Sequence, residues 1–188
     1  MKKEIKLSIS NIAWSRQFDE EIYTFLCDHG YSGLEIAPTT IFPTKPYDHL
    51  EEAKEFATTL KARYGLTICS IQSIWYGRDE NLFGSQDECT TLINYTKQAV
   101  DFAVALGCSN LVFGCPRNRN IPVGADIHLA EEFFSQIARY AAENRVIIAL
   151  EPNPPIYNTN FINKTPEAFS FVEKVGGAGI AVNLDCGA

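Results

Sequence analysis

Two carboxylates stand where buried strands would end. Val146-Ile147-Ile148-Ala149-Leu150 is an uninterrupted apolar run, closed by Glu151 and then by the loop Pro152-Asn153-Pro154. Ile180-Ala181-Val182-Asn183-Leu184-Asp185 follows a similar plan, with Asp185 last. A continuous apolar run of this length reads as a strand covered on both faces, as in a parallel sheet between helices. A carboxylate at the tip of such a strand is costly to desolvate unless it is paired, hydrogen-bonded or bound to a cation. On neighbouring strands the two would project over one mouth, and their repulsion would be relieved by protonating one of them or by a cation between them. Oxygen donors of this kind suit Mn²⁺ or Mg²⁺, with Zn²⁺ or Co²⁺ as alternatives, zinc in particular if a histidine joins them. The structural alternative is that each carboxylate bonds separately to a helix N-terminus around the mouth.

The elements that must position these groups alternate from end to end. Glu4 to Ala13 predicts a first strand, with Trp14 at its exit, and a helix follows through Phe18, Ile22, Phe25 and Leu26 to Gly30. Tyr31 to Pro38 predicts a second strand carrying Glu35 near its end. Asp48 and Glu51 have capping-box spacing before an apolar stripe that ends at Gly65. Leu66 to Trp75 reads as a third strand, with Gln72 and Ser73 near its end. Ser85 and Glu88 form a second capping box before a long helix that stops at Gly107. Asn110 to Pro116 is a fourth strand, opening into Arg117-Asn118-Arg119-Asn120, and Asp126 caps the next helix. After the fifth strand, Thr165-Pro166-Glu167 starts a helix with proline at its first position, and Ile180 to Asp185 is the sixth strand.

Strand–helix alternation without a linker or composition shift predicts one α/β domain over residues 1–188 with a parallel sheet. An open doubly wound sheet would carry a glycine-rich phosphate turn after its first strand, but Asn11-Ile12-Ala13-Trp14-Ser15 is no such turn. A (β/α) TIM-type barrel instead gathers functional residues at the C-terminal ends of several strands. Trp14, Glu35, Gln72, Trp75, Arg117, Glu151, Asn153 and Asp185 are all read at or just beyond such ends, so the barrel is the expected fold.

Composition narrows the function classes. The 188 residues are 46% apolar and 21% charged, with a net charge of −7, which gives no electrostatic footprint for nucleic acid or an anionic membrane. The six cysteines are scattered, with no C-x-x-C pair and no zinc-type spacing, which fits a reducing cytoplasm better than a disulfide framework. There is no apolar run long enough for a membrane span. His29, His49 and His128 fall at helix ends and are expected to be solvated.

Five motifs, in order, carry a family resemblance: Gly33-Leu34-Glu35-Ile36, Ile71-Gln72-Ser73, Leu111-Val112-Phe113-Gly114-Cys115-Pro116, Leu150-Glu151-Pro152-Asn153 and Asn183-Leu184-Asp185-Cys186-Gly187. Together they resemble the xylose-isomerase-like TIM-barrel superfamily, and within it the sugar and sugar-phosphate isomerases and epimerases. The resemblance implies a divalent metal held by Glu from strand five, Asp from strand six, His from strand seven and Glu from strand eight. Glu151 and Asp185 would be the first two ligands, with Glu151 also a catalytic acid/base that moves a carbon-bound proton through an enediolate. Glu35, Gln72, Trp14, Trp75, Arg117 and Asn153 are the expected substrate-binding residues, facing a sugar or sugar phosphate. For Glu35 the alternative is a salt bridge across the barrel mouth.

Ala188 stands where many members carry a substrate-binding histidine. Strands seven and eight are missing from a barrel that typically needs about 250 residues. The domain is therefore expected to be incomplete at its C-terminus, about six βα units of eight, with half the metal site absent, weak metal binding and little isomerase activity. Open edges at strands one and six predict coverage by a homo-oligomer or partner chain. Two rival functions remain: a non-catalytic barrel remnant acting as an assembly module, and an endonuclease-IV-like DNA repair enzyme with three zinc ions, which the acidic balance disfavours.

Overall fold

The computed structural model describes residues 5–185. Six strands, β1 (Ser8–Ser10), β2 (Gly33–Ile36), β3 (Thr67–Ile71), β4 (Asn110–Phe113), β5 (Ile147–Leu150) and β6 (Ile180–Val182), lie side by side in chain order. Every neighbouring pair is parallel. An order that never reverses is that of a barrel wall, whereas a doubly wound sheet turns back at a switch point. Between the strands run α1 (Asp19–Asp28), α2 (Pro38–Ile41), α3 (Leu50–Tyr64), α4 (Gln86–Leu106), α5 (His128–Glu143) and α6 (Thr165–Val175).

Register explains how the sheet sorts its residues. Ile36, Ile71, Leu111, Ile148 and Ile180 pair in one row across five strands, and all five are buried. Phe113, Leu150 and Val182 form the next row on that same face, in or against the core under the helices. The opposite face is small or polar: Val112, Ala149 and Ala181 in one row, Ser10, Glu35 and Ser70 in another. Period-two alternation would break in β3, where Ile68 and Ile71 both belong to the core. A bulge resolves it: Leu34 pairs with Ile68 but Glu35 pairs with Ser70, so Cys69 is the extra residue and the strand stays in phase on both sides.

Helix ends follow the local chemistry. Ser85 and Glu88 form the expected reciprocal capping box of α4, and Gly65 and Gly107 end α3 and α4 in the left-handed region at φ 68°. At Asp48 the expectation fails. Pro46–Asp48 is a 3₁₀ turn, α3 starts at Leu50, and His49 stands at its N-cap without a side-chain cap bond, because Pro46 sets a turn just ahead of the helix. The strands are shorter than the apolar runs. The first, expected from Glu4 to Ala13, is Ser8–Ser10, and Asn11–Ala13 coils into a 3₁₀ turn where Asn11 Oδ1 accepts from Ala37 N–H at 2.8 Å. Glu4, Cys186, Gly187 and Ala188 lie outside the described residues. Among the described residues no helix is long and apolar enough to cross a membrane.

Candidate active site

Glu151 follows β5 directly. Its backbone N–H continues the sheet to Phe113 C=O at 3.1 Å, so the side chain emerges at the C-terminal rim. Both carboxylate oxygens accept an amide N–H: Oε1 from Asn153 Nδ2 at 2.9 Å and Oε2 from Asn183 Nδ2 at 2.8 Å. Asn183 reaches it because β6 pairs with β5 and Asn183 N–H bonds Leu150 C=O at 2.8 Å, which carries the register past the end of the strand. A Cβ on Gly114 would come within 3.2 Å of Glu151 Oε1 and would push the carboxylate aside by a few tenths of an ångström.

Behind this carboxylate sits a fully buried cation. Arg119 Nη2 donates to Asn153 Oδ1 at 2.8 Å and to Glu151 C=O at 2.9 Å. Burial pulls the guanidinium pKa down to about 10, partly offset by the neighbouring Cys115 and Glu151. The Cys115 thiol is pushed up to about 12 by its own burial, against the opposing pull of Arg119 and of a Trp75 backbone hydrogen bond. Arg119 therefore remains a cation and Cys115 a neutral thiol at neutral pH.

A second polar group occupies the same rim. Gln72, just past β3, donates through Nε2 to Ser10 Oγ at 2.5 Å and to Glu35 Oε1 at 3.1 Å, linking β1, β2 and β3. The partner of Glu35 is thus a neutral amide. Beside it, at the β3 and β4 exits, lies a pocket of about 320 Å³ bordered by Ser73, Trp75, Arg78, Cys115, Arg117 and Asn118. Ser73 (φ 54°) and Cys115 (φ 42°) both sit in the left-handed region, a conformation that non-glycine residues adopt rarely and often near functional sites. Buried Asn118 pins the wall by donating to Arg78 C=O and Glu80 C=O, each at 2.9 Å.

The expected site residues thus divide. Glu151 and Asn153 form one hydrogen-bonded cluster, Glu35 and Gln72 another, and Arg117 is exposed at the pocket edge. Asp185 is exposed, three residues beyond β6. Trp14 spends its indole N–H on Asp19 Oδ1 at 2.7 Å and leans edge-on against Tyr23, which fixes the start of α1. Trp75 borders the pocket but is 2% exposed, with its indole N–H on Thr96 Oγ1 and its ring against Phe113 and Phe133. Two residues of the cluster were not among the expected ones, Arg119 and Asn183. Nothing in the spacing of Arg117-Asn118-Arg119-Asn120 separates the exposed arginine from the buried one; the 3₁₀ turn Pro116–Asn118 does, by turning Arg119 inward.

The family model of the xylose isomerase-like TIM barrel matches residues 24–188. The chain belongs to the xylose isomerase-like TIM barrel family. None of the curated proteins compared matches it. Among solved structures, 3-keto-D-glucoside 4-epimerase from E. coli is similar with a TM-score of 0.71 at 15% identity, covering 95% of this chain and 67% of that one. D-psicose 3-epimerase from Clostridium cellulolyticum H10, solved with D-tagatose, gives 0.72 at 17% identity, covering 95% and 62%. A family 2 AP endonuclease from Brucella melitensis gives 0.68 at 23% identity, covering 97% and 69%. The chain thus spans between three-fifths and seven-tenths of these three proteins, and at such identities the likeness shows the shared fold.

The donor set is a direct test of the divalent metal implied by this family. Among the described residues no group of three or more His, Cys, Asp or Glu side chains could hold a metal ion. His29 stacks on Phe25, His49 stacks on Phe42, and His128 bonds Glu131, so each ring has a local partner and none belongs to such a group. Glu151 and Asp185 supply two carboxylates, which alone do not complete a metal centre.

Proposed function

We propose that this chain carries part of the active site of a sugar or sugar-phosphate isomerase or epimerase, with Glu151 as its proton-transfer base. One observation carries the reading: a carboxylate at the C-terminal rim of β5 with an amide donor on each oxygen. Two such donors hold the carboxylate in one orientation, which is what a general base needs before substrate arrives. Glu151 takes the proton from the carbon beside the sugar's carbonyl. The C–H electron pair becomes the C=C bond of an enediolate, and the carbonyl π pair moves to oxygen. Return of a proton to the other face epimerises the centre; return to the neighbouring carbon isomerises the sugar.

Glu35 and Gln72 supply a carboxylate and an amide to bind sugar hydroxyls, and Arg117 an exposed cation at the pocket edge. Glu151 and Asp185 are the chain's proposed contribution to a divalent-cation site, Mn²⁺ or Mg²⁺ by their oxygen chemistry, and further ligands must come from elsewhere. The acidic balance weighs against DNA cleavage.

The test is deuterium wash-in. Ketoses, their phosphates and keto-glycosides are incubated with the protein in D₂O, with and without Mn²⁺ or Mg²⁺, and followed by proton NMR. The expected result is a slow loss of the C–H signal beside the carbonyl, in keeping with a partial site, and its abolition by Glu151→Gln. Exchange that proceeds as fast in Glu151→Gln as in the wild type would overturn the proposal.

A further inference from the structure

We infer that Arg119 is a positioning residue, which holds the Asn153 side-chain amide in the single orientation that presents an N–H donor to the Glu151 carboxylate. The inference rests on the reading of Glu151 as the working carboxylate, and its geometry is complete among the described residues. Asn153 lies between a group that can only donate and a group that, when ionised, can only accept. Arg119 Nη2 faces Oδ1 at 2.8 Å, and Glu151 Oε1 faces Nδ2 at 2.9 Å. Turning the amide over would set N–H against N–H on one side and oxygen against carboxylate on the other. The chemistry of its two neighbours therefore assigns the rotamer.

The backbone of Asn153 is fixed independently. Its N–H donates to Ile162 C=O at 3.1 Å, and its C=O accepts from Asn163 Nδ2 at 2.7 Å. Ile162 is held at φ 56°, a strained conformation for a β-branched residue, so the loop after β5 is tied down at some cost. What remains free is the side-chain amide, and Arg119 sets it. The same Nη2 also bonds Glu151 C=O, so one guanidinium nitrogen ties the main chain of the carboxylate residue to the amide that orients its side chain.

Stability alone does not account for this arginine. It is fully buried, and among the described residues its Nε and Nη1 have no hydrogen-bond partner. An apolar side chain of similar volume would fill the space without desolvating a charge or leaving donors unpaired. A costly buried group is expected where it preorganises a site. Gly114 fits the same account, since a Cβ there would press on Glu151 Oε1 at 3.2 Å.

The experiment uses the intact chain, with no metal or substrate added, and follows asparagine side-chain amides by ¹⁵N NMR. In the wild type, the Asn153 amide protons should exchange with solvent at least about tenfold more slowly than those of exposed Asn94. Equal rates would overturn the inference without any variant. In Arg119→Met, Asn153 exchange should accelerate about tenfold or more, while Asn183, bonded to the other Glu151 oxygen, changes far less. Equal acceleration of both amides would mean that Arg119 merely stabilises the fold, and would also overturn the inference. Arg119→Lys keeps the charge and should restore part of the Asn153 protection; it serves as the comparison if the methionine variant does not fold. Sugar proton exchange that survives Glu151→Gln would sink the isomerase reading while leaving these amide results in place.

Discussion

Replacing an active-site carboxylate by its amide often stabilises an enzyme, because such sites carry unfavourable charge. Here the opposite is expected for Glu151→Gln. Glutamine offers one acceptor where Glu151 offers two, so one of the two amide donors meets an N–H. Asn153 cannot turn over, because Arg119 holds its Oδ1, but the Asn183 side chain can. The variant should therefore keep both contacts by flipping Asn183 and exchange two charge-assisted bonds for two neutral ones. Bonds to charged groups contribute about 1 kcal/mol more than neutral ones, and Glu151 is only half-buried, so the loss should be about 1–2 kcal/mol. For a domain of this size that is a fall in Tm of roughly 2–8 °C. Urea unfolding at pH 7, followed by the fluorescence of buried Trp75, measures it directly. A Glu151→Gln protein as stable as the wild type, or more so, would show that the two asparagines do not hold an ionised carboxylate.

Other perturbations separate the scaffold from the site. Gly179→Ala would place a Cβ 1.9 Å from Ala138 C=O, a backbone atom of α5 that cannot swing aside, and should cost about 3 kcal/mol or more by chemical denaturation. Asn118→Ala strands the Arg78 and Glu80 carbonyls and should lower stability by about 2–3 kcal/mol, with a shift in Trp75 emission as the pocket wall loosens. Cys108 is buried and its thiol is raised to about 11, so the folded state binds more protons than the unfolded one above pH 9. Its contribution is full below pH 9 and is lost as pH rises towards 11, so Cys108→Ala should flatten the alkaline fall in stability over that window. In the native protein at pH 8, iodoacetamide should label exposed Cys27 and Cys69 quickly, and Cys108 only after unfolding, as mass spectrometry of the modified peptides would report.

The barrel-type wall was legible because its signal is periodic and repeated. Six apolar runs separated by capped amphipathic stretches allow few topologies, and the capping box at Ser85 and Glu88 appears as expected. What escaped was local competition. The capping-box spacing at Asp48 and Glu51 lost to the turn that Pro46 initiates, and the apolar runs outlast their strands because strand pairing stops where 3₁₀ turns and left-handed residues bend the chain. Residues at strand ends were legible as a class, but not which way each one turns. Trp14 and Trp75 stand in the right places along the chain, yet their indole N–H groups are taken by Asp19 and Thr96. That choice depends on contacts with residues on other elements, which no spacing rule contains.

The loop after β4 shows what the fold adds to such a list. Arg117, Asn118 and Arg119 are consecutive and look alike as an exposed polar stretch, but burial gives them three different roles. Arg117 stays at the pocket edge, Asn118 binds two carbonyls of the loop after β3, and Arg119 turns under the β5 exit to reach Asn153 and the Glu151 main chain. The left-handed Cys115 redirects the chain before this segment, and Pro116 starts its 3₁₀ turn. A single strained residue thus lets one short loop form a pocket wall on one side and support a carboxylate on the other. Loss of that turn would disturb the pocket and the carboxylate together, although they share few residues.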